Sequence, residues 1–317
     1  MNLSGDPSPR RRRLLCLVWF LWAATILAGI TGNSPAAPNL SEKDFKGSGR
    51  CQFAVHAFTL TPQTEKAIND SVQQLLDRHR AVFGFMPRPY FRLRMRVFGR
   101  YADYTNATFS LYWTNAADRR ALEGRPFRVA GFYTSKTKEI VTWQQQMPGF
   151  LGTTLLHEAS HAIMDAHYED VPLWLMEGAA DYFAFALHPP GELHRQMLRH
   201  RWTQLNLWLG ESSLLSLESL LNADAPTFKA MDPEKAYTTS WSLFQLLMSS
   251  DANRRMMITL LNERQNPNES FDCAKQVARL HPGGVKPLEQ AWHAWIVAGA
   301  SATNAPSARP ATKPARP

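Results

Sequence analysis

Near residue 150 the hydrophobic pattern of this chain changes period, and that change restricts its fold more than any other feature. Before it the pattern is mixed. Cys51 to Phe58 reads as a strand, and Pro62 to Phe83 has helical spacing with Ile68, Val72, Leu75 and Leu76 on one face. Phe91 to Val97 alternates strictly, which predicts a half-buried strand with Arg92, Arg94 and Arg96 on a solvated face. Val129 to Tyr133 and Ile140 to Trp143 read as two strands joined by the polar turn Ser135 to Glu139. From Thr153 onward the apolar residues recur at helical spacing, in segments 153–168, 177–187, 192–209, 234–249, 252–264 and 286–298. The order predicts an α+β chain: an N-terminal mixed sheet with helices in 51–152, then a mostly α-helical half in 153–300.

The two ends have a different character. Arg10 to Arg13 precede an uncharged run from Leu14 to Ile30. A positive cluster ahead of an apolar segment inserts with its charge left in the cytoplasm. Seventeen residues of helix reach about 25 Å, the short limit for a bilayer span. Residues 1–36 are therefore expected to be a signal peptide, with a small-residue cleavage site before Ala37, or a signal anchor. Either makes the protein exported, periplasmic or extracytoplasmic. Residues 37–50 read as a linker. Residues 301–317, rich in Ala, Pro, Ser and Thr, cannot bury a core and read as a disordered tail.

Charge follows the same division. The net charge of +8 invites a nucleic-acid reading. Residues 1–13 carry +3 of it, and Arg309, Lys313 and Arg316 another +3, which leaves the folded part nearly neutral. Nucleic-acid binding is thereby disfavoured. In an exported chain Cys51 and Cys273 could form a disulfide or be two separate buried thiols, and the sequence leaves both open.

Chemistry concentrates where the period changes. In His157-Glu158-Ala159-Ser160-His161, two His four apart lie one turn from each other on one helix face. Both imidazoles can reach a single metal ion, and neutral His nitrogen suits Zn2+. Glu158 is placed to reach a water on that ion without binding the ion itself, which suits a general base. Leu155, Leu156 and Ile163 give the helix an apolar side, and Thr153 or Thr154 can cap its start.

A catalytic zinc site needs a third protein ligand. His167 lies ten residues after His157, the metzincin spacing, but Met164 stands where that pattern has the Gly that turns the chain back. Glu177 is the better candidate. Pro172 breaks the first helix, a second starts near Trp174, and Glu177 would face the metal from it. Asp181, one turn further along, can accept a hydrogen bond from the other ring nitrogen of a ligand His. His194, His200 and His281 read as surface residues.

The stretch from about 150 to 185 resembles the gluzincins, the thermolysin-like clan of zinc metallopeptidases. In these, His-Glu-x-x-His is followed on the next helix by Glu-x-x-x-Asp. Trp174-Leu175-Met176-Glu177-Gly178-Ala179-Ala180-Asp181-Tyr182-Phe183 looks like the short bacterial peptidase MA-like domains. No Gly-Ala-Met-Glu-Asn stretch accompanies it, so the related aminopeptidase group is not indicated. The resemblance implies a zincin-like fold for 51–300, with the active-site helix between the halves. It implies His157, His161 and Glu177 as zinc ligands and Asp181 as their support. It also implies a substrate-binding sheet edge, at Val129 to Tyr133 or Ile140 to Trp143, and an oxyanion-stabilising residue for which Tyr237 fits by position. Tyr237, Trp241, Phe244 and Met248 also make an ordinary core stripe.

The function expected is zinc-dependent hydrolysis of peptide bonds in a peptide or protein substrate. The rivals are a non-catalytic zinc-containing scaffold or binding module of the cell envelope, and a zinc hydrolase of a non-peptide cell-wall amide. Glu158 counts against the scaffold, since a purely structural site has no use for a base.

Overall fold

The computed structural model describes residues 41–47, 49–85, 91–112, 129–145, 150–168, 171–187, 192–264 and 272–304. The expected leader, residues 37–40 and 48 of the linker, and residues 305–317 of the tail lie outside them, whereas residues 301–304, expected to be disordered, continue the last helix. Among the described residues no helix is long and apolar enough to cross a membrane.

The chain is α+β, with a small mixed four-stranded sheet and a helical second half. Strand β1 (Cys51–His56) ends at Ala57, whose positive φ of 61° turns the backbone out of the extended region. Helix α1 (Pro62–Phe83) starts where Thr61 accepts from the Thr64 amide, and stops at the left-handed Gly84. It carries the chain over to β2 (Leu93–Phe98), parallel to β1. A short helix α2 (Tyr101–Ala107) runs on into a π-helical turn, Thr108–Tyr112. Strands β3 (Gly131–Thr134) and β4 (Glu139–Trp143) form an antiparallel hairpin, and β4 pairs parallel with β2. The sheet order is β1-β2-β4-β3. Of the two strands proposed as a substrate edge, β4 is therefore interior and only β3 is an edge.

Helix α3 (Phe150–His167) packs on β3, β4 and α1. It begins before Thr153 and Thr154, so neither is its cap. Helix α4 (Leu173–Leu187) lies between α3 and α8 (Pro233–Met248). The remaining helices are α5 (Glu192–Gly210), α6 (Leu217–Leu221), α7 (Ala225–Ala230), α9 (Asp251–Arg264), α10 (Cys273–Leu280) and α11 (Val285–Asn304). Trp174, Phe183, Trp241, Phe244 and Trp292 are fully buried in a core that also takes in the inner face of the sheet.

One expectation is corrected. The arginine face of β2 is not solvated beyond Arg92. Arg96 is buried and its Nε donates to Glu139 Oε2 at 3.2 Å, while Arg94 Nη2 donates to Glu139 Oε1 at 3.2 Å. The Phe45 ring covers both guanidinium groups, at 4.4 and 4.7 Å. A paired and hydrogen-bonded cation can be buried where a lone one cannot. Of the two arrangements the sequence left open for Cys51 and Cys273, the structure shows separate buried thiols with no disulfide between them, and burial pushes the Cys51 thiol up to about 12.

Candidate metal centre

Helix α3 turns Ala159, Ala162, Ile163 and Met164 into the core, which leaves His157 and His161 one turn apart on the side facing α4. From α4, Glu177 reaches both. His157 Nε2 and His161 Nε2 are 3.1 Å apart, and Glu177 Oε2 lies 3.2 Å from the first and 3.4 Å from the second. The circle through three atoms so spaced has a radius of about 1.9 Å, just inside the 2.0–2.1 Å of a zinc–imidazole bond. A point therefore exists at bonding distance from all three. Tetrahedral ligands at that range stand about 3.3 Å apart, close to the observed edges. Glu177 Oε2 is buried and receives no well-formed hydrogen bond. A buried carboxylate oxygen facing two imidazole nitrogens is what a bound cation would satisfy. These three are the described residues whose His, Cys, Asp or Glu atoms converge in this way.

The surroundings fix the triad. His157 Nδ1 donates to Asp181 Oδ1 at 2.9 Å, so its Nε2 lone pair points into the triangle. Asp181 Oδ2 accepts from Arg201 Nη1 of α5 at 2.6 Å, and that guanidinium lies over the rings of Phe185 and Trp241. Burial alone would raise the Asp181 carboxyl, but Arg201 and then His157 outweigh it and hold it below its ordinary range. Burial likewise opposes ionisation of Glu177, and the two imidazoles overcome it. His157 is held above the ordinary His range because Asp181 and Glu177 outweigh its burial. A proton and a cation thus compete for the same triangle.

Glu158 stands beside the triad and outside it. Its Oε2 accepts from the Tyr133 amide of β3 at 2.8 Å. Burial raises its carboxyl above the ordinary range, against the pull of His157 and His161. Tyr237, in the second turn of α8, lies close enough to the carboxylates of Glu177, Glu158 and Asp181 for them to act on its hydroxyl. Burial and those three carboxylates raise its pKa, so the hydroxyl keeps its proton. Unlike Trp241 and Phe244 on the same stripe, the residue is 37% exposed.

His167 is not part of the group. Its Nδ1 donates to the Ile163 carbonyl at 2.7 Å and its ring stacks on Phe85 at 3.9 Å. His200 pairs with Glu234 at 2.9 Å, and His194 packs edge-on against Phe185.

No family model, curated protein or solved structure matches the chain. The case for a function therefore rests on the site itself. Two contributors to that site have no signature in the sequence. Arg201 reaches Asp181 across a gap of 20 residues, from a helix whose stripe shows only its packing face. The Tyr133 amide is a main-chain donor, and nothing in the sequence marks a main-chain donor.

Proposed function

We propose that this chain is an exported zinc-dependent hydrolase of peptide bonds on a zincin-like fold, with His157, His161 and Glu177 as metal ligands and Glu158 as general base. One observation carries the reading: three donor atoms of the right kinds stand 3.1–3.4 Å apart with a buried carboxylate beside them. A zinc ion bound there supplies a water acidified to a pKa near 7 and polarises a substrate carbonyl.

The chain's own residues do the rest. Glu158 accepts a proton from the attacking water through the oxygen that Tyr133 does not occupy, then gives it to the departing amine nitrogen. Burial raises the basicity of that carboxylate and suits it to both transfers. Tyr237 donates from a hydroxyl that stays protonated, so it can meet the negative charge that develops on the carbonyl oxygen. Asp181, steadied by Arg201, holds the His157 ring in its working tautomer. The basic cluster Arg10 to Arg13 and the apolar run after it support export, with the apolar segment either removed or kept as an anchor.

The test is cleavage of casein by the full-length chain loaded with zinc. Wild type is expected to cleave and to stop when a chelator removes the metal. Glu158→Gln is expected to keep one zinc and lose turnover by at least about a thousandfold. Undiminished cleavage by that variant would remove Glu158 from the chemistry. Zinc uptake without cleavage of any protein or peptide by wild type would favour the scaffold.

A further inference from the structure

Strand β3 is tied to α3 at three points, and together they bear on the orientation of Glu158. At the first, Gly131 lies so close to the helix that an added Cβ would fall 2.8 Å from Thr154 Cγ2. At the second, the Tyr133 amide donates to Glu158 Oε2 at 2.8 Å. At the third, the Tyr133 hydroxyl donates to Asp165 Oδ2 at 2.6 Å. Thr154, Glu158 and Asp165 are spaced four and then seven residues apart, which puts them in one row along the helix. Tyr133 thus runs along α3 like a strut, fixed to the helix by its main chain at one end and by its side chain at the other.

The same Asp165 oxygen accepts a second donor. Lys138 Nζ reaches it at 2.6 Å from the turn that joins β3 to β4. The Lys138 backbone is left-handed, with φ of 54°, which aims this part of the hairpin back at the helix. Both residues that grip Asp165 therefore belong to the edge hairpin, one from the strand and one from its turn. An edge strand paired on one side only is easily displaced. A carboxylate with two donors supplies the missing restraint on its free side.

We propose that Asp165, Tyr133 and Lys138 form a latch that positions Glu158 by holding the Tyr133 amide against one of its carboxylate oxygens. Asp165 is a positioning residue: it touches neither the triad nor Glu158, and acts through the strand. With the latch closed, Glu158 Oε2 is occupied and Oε1 alone is left to handle protons. With it open, the edge moves off the helix and the carboxylate can turn. The inference rests on Glu158 being the base, and the geometry of the latch can be tested without that assumption.

Two measurements on the full-length, zinc-loaded chain separate the questions. Amide hydrogen exchange at position 133 reports the latch directly. Asp165→Ala and Tyr133→Phe are each expected to speed that exchange about tenfold. Asp165→Asn, whose Oδ1 still accepts from the tyrosine hydroxyl, is expected to stay near wild type. Turnover of casein reports the consequence. The first two variants are expected to lower kcat about tenfold with KM and bound zinc unchanged, and Asp165→Asn to restore most of it. Tyr133→Phe deletes one atom and keeps the packing of the ring, so its effect is not that of a failed fold. Unchanged exchange at position 133 in both disrupting variants overturns the latch, as does a loss of kcat that Asp165→Asn fails to restore. Exchange in the expected order in a chain that cleaves nothing keeps the latch and removes the hydrolase reading instead.

Discussion

At the scale of single residues, the site depends on where each polar atom is aimed. His157 Nδ1 is occupied by Asp181 and its Nε2 is thereby committed to the triangle. Asp181→Asn can still accept at Oδ1, but it no longer carries the charge that Arg201 pairs with. Its zinc affinity is expected to fall 10–100-fold, the usual loss when the support of a ligand His is removed. Competition with a chromophoric chelator measures it, and an unchanged affinity would make the Asp181 contact incidental. Tyr237→Phe removes a hydroxyl that stays protonated and that the proposed mechanism uses to donate toward a substrate oxygen. It is expected to lower kcat by about 10²–10³ while leaving zinc in place. A variant that lost zinc together with activity would show Tyr237 to be supporting Glu177 rather than the reaction. The pairs His157–His161 and Glu177–Asp181 were legible in the sequence because the helical repeat brings i, i+4 residues to one face, and the resemblance to the gluzincins, with the helix break at Pro172, suggested that the two pairs meet. Arg201 was not legible, because its contact joins two helices and leaves no local period.

At the scale of elements, the site is a joint among α3, α4 and α8, and its tightest point is Gly178. A Cβ there would lie 2.6 Å from the Ser240 carbonyl oxygen and 3.0 Å from Phe244 Cβ. Backbone cannot give way as a flexible side chain can, so Gly178→Ala must push α4 off α8. Overpacking of this kind costs about 1–3 kcal/mol. The neighbouring Glu177 would move with its helix, so both the thermal midpoint and the zinc affinity are expected to fall. Full retention of both would show that the joint has slack. The long helices were legible from their apolar stripes. The short ones, α2, α6, α7 and α10, span 5–8 residues, too few for a period to emerge, although Ser216, Asp224 and Asp272 do cap three of them. The arginines of β2 misled for a related reason. Strict alternation predicts which residues share a face, but not that Phe45 and Glu139 will cover that face.

At the scale of the whole molecule, the buried side of α3 adds a dependence on pH. His79 is fully buried, bonded to Ser160 Oγ at 3.0 Å and packed against Phe183. Burial, helped by His167 and His161, lowers its pKa from the ordinary 6.5 to about 3. The folded chain therefore holds His79 neutral where the unfolded chain protonates it. Its contribution to stability is fully present above pH 6.5 and is lost as pH falls toward 3, with a slope of up to about 1.4 kcal/mol per pH unit. Urea midpoints at pH 7 and pH 4.5 should differ less in His79→Gln than in wild type. Equal differences would mean that the acid sensitivity lies elsewhere. The expectations for zinc affinity and turnover assume that α3 and α4 meet to hold one cation. The most direct test of that is metal content. The full-length wild-type chain is predicted to carry one zinc, Glu177→Ala to lose it, and His167→Ala to keep it. Zinc retained by Glu177→Ala, or lost from His167→Ala, would contradict the account.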